Sequence, residues 1–427
     1  MLGGLAARGC RVQHFRSRAC PIGSAVIGKV TGLPGRHLDA WLMPPAICRS
    51  VFARGARRAD LALVEGTLDD ARPAAPGSAC DRPGRLGPIV QALDLPTIAL
   101  VECQKLAGLH LPRLPEGIEA ILLDGLERPE DYEVLQRAVA LVGKVPVLGA
   151  VEALPEARAA LRAVPSDVAP PEAVIERLVA SFLRFADLPA IRTLAEARPF
   201  PLAPVELPSG PEGRFRVAYA QDEAFGGYFP DTLEALEALG ADLVEFSPLS
   251  DGSLPEAVDL VIIGGGYPDR FADELAANYS LIAELRAHVC RGRGLYAEGG
   301  GTAYLGRLML LDGREVAAAG IFPFDAELRA DPTAPMPVTR ELTRDGWLGP
   351  TGTVVRGYRS GRWRLLPAPE PGDCPARSGP LTRQHDIYFR HQAVGSLMHL
   401  HLATLPEVVA SFVGMYRPTL TKPSSRR

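Results

Sequence analysis

The sequence predicts an α/β protein built from two parallel-sheet units, and three observations carry that expectation. Short apolar runs alternate with segments of helical periodicity from residue 12 to residue 148 and again from residue 214, the pattern in which a crossover helix follows each strand. Two strands of the second half run directly into glycine triplets, Gly264 to Gly266 and Gly299 to Gly301. Between the halves, Arg198 to Pro211 is dense in proline and glycine, where no regular element can continue.

Length and composition agree. A chain of 427 residues favours two or three domains, and 47% hydrophobic residues with a net charge of −4 describe ordinary globular material. The 43 glycines and 40 prolines are scattered between periodic segments without a repeat, so they punctuate loops. Seven cysteines, Cys10, Cys20, Cys48, Cys80, Cys103, Cys290 and Cys374, are odd in number and lack any C-x-x-C pair, which argues against a disulfide framework or zinc site and fits a reducing cytoplasm. No apolar run reaches the roughly 18–20 residues of a membrane span, and the N-terminus lacks the apolar core of a signal peptide. Interspersed charges argue against a nucleic-acid surface, so the basic end from Arg417 to Arg427 reads as a tail. A cytoplasmic protein that binds neither nucleic acid nor membrane is expected.

In chain order, Leu2, Leu5 and Ala6 share a helical face closed by Gly9, and Arg11 to Phe15 follows as a strand. Asp60 to Gly66 is an apolar strand ending on Glu65. A carboxylate at the carboxyl edge of a parallel sheet can hold Mg²⁺, and it is also a common solvated loop residue. Further strands are expected at Thr97–Val101, Ala120–Leu123 and Val145–Leu148, with a helix over Tyr132–Val142 and an amphipathic helix over Ala173–Phe185. These define a first domain over 1–195, a linker over 196–213, a second domain over 214–415 and a tail over 416–427. The second domain opens with a strand at Arg214–Tyr219 and a helix for which Asp231 is a candidate cap. Apolar strands are expected around Val261, Ile321 and Leu400.

The candidate site lies where Leu295 to Glu298 runs through Gly299-Gly300-Gly301 into a helix ending near Gly306. In such a strand-elbow-helix the tip residue sits in a tight turn above the sheet, ringed by backbone N–H groups, a position suited to a nucleophile. Here the tip is Gly299, which has no side chain. Downstream, His399 and His401 stand at i and i+2 in an apolar strand and are expected on one face, as packed core residues or as a metal pair. Glu298 or His399 could also act as acid or base in a different reaction, though the spacing specifies none.

Around these residues the chain resembles the cobyrinate a,c-diamide synthase family, whose members carry Y-A-E-C-G-G-x-x-Y-L-G at the elbow with cysteine as nucleophile. Gly264-Gly265-Gly266-Tyr267-Pro268 is similar to the family's G-G-G-Y-P, and Ser396 to Leu402 to its S-Y-L-H-L-H-F. The resemblance implies an oxyanion hole at Gly264, Gly265 and Gly266, the nucleophile position at Gly299 and the general base position at His399. Gly357 to Trp363 takes the place of G-H-E-F-H-Y-S and keeps little beyond its glycine. In the first half, Val12 to Trp41 resembles the segment that faces nucleotide and substrate. There Thr31, Gly32, Pro34, Arg36, Leu38, Asp39 and Trp41 match and read mostly as packing and turn chemistry, while Arg16, Cys20, Gly23 and Ile27 replace the family's lysine, two aspartates and histidine. Arg16, Arg36 and Asp39 are thus substrate- or nucleotide-like positions, Glu65 a vestigial metal position, and Asp124 stands where the family has asparagine.

The implied fold is a P-loop NTPase-like parallel sheet domain without its first strand and Gly-Lys-Thr phosphate loop, followed by a class I glutamine amidotransferase-like domain. The implied family activity is Mg-ATP-dependent amidation of carboxylates on a corrin-type ring, with glutamine as nitrogen donor, in cobalamin biosynthesis. With nucleophile and phosphate loop both absent, the expectation is a degenerate member that binds a tetrapyrrole, a partner synthase or a second copy of itself. An ammonia-dependent amidoligase whose start has been placed too late is the alternative.

Overall fold

The computed structural model describes residues 1–20, 25–68, 83–109, 114–165, 168–200, 215–367, 382–384, 386–405 and 408. Gly23, Cys80, Cys374, most of the linker and the C-terminal tail lie outside them. The chain divides into two units: Met1–Ala19 with Gly23–Val205, and Cys20–Ile22 with Glu206–Arg427.

The first unit begins with α1 (Leu2–Ala6), β1 (Val12–Arg16), α2 (Ala25–Thr31), β2 (Arg36–His37), α3 (Pro45–Ala56) and β3 (Leu61–Glu65). It continues with α4 (Gly87–Leu93), β4 (Thr97–Glu102), β5 (Ile118–Leu126), α5 (Tyr132–Gly143), β6 (Val147–Glu152), α6 (Pro155–Ala163), α7 (Glu172–Phe185) and α8 (Leu188–Glu196). The strands pair in parallel as expected of βα alternation, but they form two three-stranded sheets, β2-β1-β3 and β4-β5-β6. In the first sheet Val12 and Phe15 are fully buried, and the Phe15 ring lies 5.1 Å from that of Phe52 on α3. In the second, Phe182 of α7 packs with Ala120, Leu122 and Leu148. Burial of such a ring contributes about 1.5–3 kcal/mol. Helix α1 approaches this ring through Gly4, where a Cβ would stand 2.5 Å from Phe182 Cδ1.

The second unit runs through β7 (Phe215–Ala220), β8 (Phe225–Gly227), α9 (Pro230–Ala238), β9 (Ala241–Phe246), β10 (Leu260–Ile263), β11 (Gly265–Gly266), α10 (Ala272–Ala277) and α11 (Tyr279–Cys290). Then come β12 (Gly294–Glu298), α12 (Gly300–Tyr304), β13 (Leu308–Leu311), β14 (Arg314–Ala317), β15 (Phe324–Glu341) and β16 (Val354–Pro367). The last strands are β17 (Thr382–Gln384), β18 (Ile387–Arg390), β19 (Ala393–Ser396) and β20 (Met398–His399). Its main sheet has the order β17-β18-β19-β12-β10-β7-β9, parallel from β19 to β9, so β12 is central and its glycine elbow emerges at the carboxyl edge. A second sheet, β14-β13-β15-β16-β20, delivers His399.

Two local expectations are corrected. Asp231 is not the cap of α9: Pro230, with its fixed φ, occupies the first helical position, so the cap falls at Phe229 and Asp231 is buried in the first turn. Ile321 is not in a strand but is buried in the bend before β15.

Candidate functional site at the glycine elbow

Strand β12 lies parallel between β10 and β19, with Leu295 to Glu298 in register with Ala393 to Ser396. At its end Gly299 has φ 50° and ψ −112°, and its N–H donates to the Ser396 carbonyl at 2.8 Å. The turn is tight on every side. A Cβ at Gly300 would stand 2.6 Å from the Gly266 carbonyl oxygen, and one at Gly301 2.3 Å from that of Ile263, so only glycine lets α12 start here. The Thr302 hydroxyl holds the elbow to the sheet, 2.9 Å from the Ala297 carbonyl and 2.8 Å from that of Ser396.

Glu298, 6% exposed, is the polar centre of the site. Its Oε1 accepts the Tyr296 hydroxyl in a short hydrogen bond and the Leu400 N–H at 2.9 Å, while Oε2 lies 3.2 Å from His399 Nδ1. Burial first, and then the Glu298 charge, push the Tyr296 phenol well above its ordinary pKa, so it stays a neutral donor. A carboxylate oxygen accepts, so the contact is a hydrogen bond in the tautomer that carries a proton on His399 Nδ1, with Nε2 on the side of the elbow.

The space beside the elbow is filled by that ring. A Cβ on residue 299 would stand 2.6 Å from His399 Cε1 and 2.7 Å from Nε2, and a Cβ on Gly265 3.0 Å from Cε1. The base position and the nucleophile position therefore come together, about 100 residues apart in sequence, but the imidazole occupies the volume where a side chain would begin.

The glycine triplet beside it is engaged in holding the fold. The Gly264 N–H donates to the Tyr228 hydroxyl at 3.1 Å, and that hydroxyl donates to the Ala220 carbonyl at 2.6 Å. Gly265 and Gly266 pair antiparallel with Gly227 and Phe225. The Gly264 donor implied for an oxyanion hole is thus directed to Tyr228. The two histidines do not converge, because the His401 ring stacks on Phe229 at 4.5 Å whereas His399 meets Glu298. Among the described residues no group of three or more His, Cys, Asp or Glu side chains could hold a metal ion.

In the first unit the family-like positions have partners within the protein. Glu65 Oε2 lies 3.0 Å from His14 Nε2 and Oε1 3.8 Å from Arg16 Nη2, and the His14 hydrogen bond is the first cause of its lowered pKa. Asp39 is fully buried and accepts the N–H groups of Ala19 at 3.1 Å and Trp41 at 3.0 Å. Arg36 is buried against Gly55, where a Cβ would meet its Cδ at 2.6 Å. Asp124 is held by both terminal nitrogens of Arg158, at 3.1 and 2.5 Å. Sequence reasoning missed Tyr296, His14 and Arg158. The first two stand two residues before Glu298 and Arg16, hence on the same strand face, a readable signal. Arg158 had none.

The order of sheet, glycine triplet, elbow and buried Glu–His pair defines a glutamine amidotransferase-type unit. A family profile described as "CobB/CobQ-like glutamine amidotransferase domain" matches residues 216–404. Over nearly its whole length the chain belongs to the cobyrinate a,c-diamide synthase family. It is 30% identical to the cobyrinate a,c-diamide synthase of Syntrophotalea carbinolica, covering 97% of this chain and 94% of the relative, and 27% identical to that of Salmonella typhimurium with the same coverage. Among solved structures, a glutamine amidotransferase matches 46% of this chain and 97% of its own length at 19% identity, with a TM-score of 0.32. Among the described residues no helix is long and apolar enough to cross a membrane.

Proposed function

We propose that this chain is a cobyrinate a,c-diamide synthase-like protein of corrinoid-biosynthesis ancestry that does not hydrolyse glutamine and acts by binding. Family membership supports a corrin-type tetrapyrrole as the ligand. The observation that carries the reading is the His399 ring against Gly299. Release of ammonia from glutamine needs a thiolate to attack the carboxamide carbon and an imidazole to deliver the proton to the leaving nitrogen. Residue 299 supplies no sulfur, and the imidazole fills the space a side chain would enter.

The fit of Mg-ATP to the first unit is poor among the described residues. Glu65 is tied to His14 and Arg16, and both Asp39 oxygens accept backbone N–H groups. A carboxylate so engaged is a weak Mg²⁺ ligand, which prefers oxygens free to complete an octahedron. The proposed function therefore involves no nucleotide-dependent step.

The test is glutamate release from glutamine by the purified chain, together with calorimetric titration of cobyrinate and of Mg-ATP. Cobyrinate binding without glutamate release or Mg-ATP binding is expected. Steady glutamate production, or cobyrinate amidation with Mg-ATP and ammonia, would overturn the reading.

A further inference from the structure

Helix α5 (Tyr132–Gly143) is apolar on two faces. One is accounted for: Val139 is buried, with Tyr132, Leu135 and Ala140 packed beside it. The other is not. Val134, Leu141 and Val142 are 67%, 81% and 57% exposed, three of the eight large hydrophobic residues most open to solvent among the described residues. Single exposed apolar side chains are ordinary, but these share one helix. At about 100° per residue, Val134, Ala138 and Leu141 fall in one stripe with Val142 at its margin, the i, i+4, i+7 spacing that a packed helix presents to another helix.

The charges beside the stripe are arranged by sign along the axis. Glu130 lies in the 3₁₀ turn that precedes α5, Glu133 in its first turn, and Lys144 immediately follows its end. Glu133 is paired with Arg137 within the helix, and Asp131 with Arg128 at the turn before it. Glu130 and Lys144 have no ion-pair partner among the described residues. A ridge with an unpaired acid at one end and an unpaired base at the other is complementary to its own reverse.

We propose that α5 is the contact through which two copies of this chain associate, antiparallel about a two-fold axis passing near Arg137 and Ala138. Val134 then packs on the partner's Leu141, and Glu130 approaches the partner's Lys144. The reverse-complementary charge favours a second copy over an unrelated partner, and a parallel pairing would set like charges together. A stripe this small supports a modest, concentration-dependent dimer. The inference does not rest on the functional reading above.

Sedimentation of the full chain, from about 1 to about 100 μM, tests it. The wild-type protein is expected to shift from monomer to dimer across that range. Leu141→Asp should remain monomeric throughout, with circular dichroism and melting unchanged because the side chain is 81% exposed. Lys144→Glu should weaken association roughly tenfold, and Lys144→Glu combined with Glu130→Lys should recover most of it. A wild-type chain that stays monomeric at about 100 μM, or a dimer that survives Leu141→Asp, would overturn the proposal, the first by leaving the stripe to some other occupant and the second by placing the dimer contact elsewhere.

Discussion

Gly299→Cys restores the atom that the elbow lacks, and the structure predicts that it does not restore the reaction. The new Cβ would stand 2.6 and 2.7 Å from His399 Cε1 and Nε2, where an ordinary contact needs at least 3.4 Å. The ring is 4% exposed and flanked by Gly265, so it can yield only by turning away from Glu298. Holding a non-glycine residue at φ 50° and ψ −112° costs about 1–3 kcal/mol, and leaving the buried carboxylate without its imidazole costs about 1–3 kcal/mol more. A total of roughly 4 kcal/mol, in a unit the size of Glu206–Arg427, lowers Tm by about 8–16 °C. Scanning calorimetry reads that loss, and Gly299→Ala, which has the same Cβ without the sulfur, should show nearly all of it. Glutamate release by Gly299→Cys should stay far below the roughly 10 s⁻¹ of an ordinary enzyme. Turnover near that rate, with Tm within about 2 °C of the parent, would show that the ring and thiol fit together and that the argument from packing is wrong.

Three further expectations are independent of the elbow. Gly55→Ala should destabilise the first unit by about 1–3 kcal/mol in urea unfolding, because the new methyl would stand 2.6 Å from Arg36 Cδ and 2.7 Å from Phe15 Cζ. Burial, followed by the Asp39 charge, raises the Cys48 thiol to about 12, so Cys48 should resist alkylation at pH 8 until the chain is unfolded in urea. Since the unfolded thiol ionises from about 8.5 upward and the folded one does not, Cys48 also makes stability fall as pH rises above that value, a slope that Cys48→Ala removes. His288 is shifted the opposite way in its effect: burial lowers its pKa while its Nε2–H donates to Gly294 at 2.8 Å. The unfolded chain then binds the proton first, stability drops as pH falls below about 6.5, and His288→Gln should flatten that part of the melting profile.

What could be read from the sequence follows the range of the interactions involved. Strands β1, β10 and β12 were visible because an apolar run bounded by glycine or charge is a local signal. The long β15–β16 hairpin was not, since Pro332 and Pro335 fall where its register slips between Leu328 and Met336, and the period-2 alternation breaks there. Asp39 illustrates a local signal, the turn chemistry expected of the segment before Trp41. Its acceptance of the Trp41 N–H two residues on is an Asx turn, which explains the residue without any ligand. The Glu298–His399 contact spans 101 residues and depends on two sheets meeting, so no spacing in the chain could reveal it.

On the proposed reading, the packing at the elbow accounts for a site that keeps its form without a nucleophile. A nucleophile at such a tip is held in a strained backbone conformation, and glycine at the same φ removes about 1–3 kcal/mol of that strain. The polar groups around it do not become orphans. Glu298 retains the Tyr296 hydroxyl, the Leu400 N–H and His399, and the Gly264 N–H has the Tyr228 hydroxyl. The Glu298 carboxylate and the Gly264 N–H thus have partners within the protein, so packing favours Gly299 on stability alone. The same arrangement opposes a nucleophilic side chain at 299, because it must displace the imidazole it would need as its base.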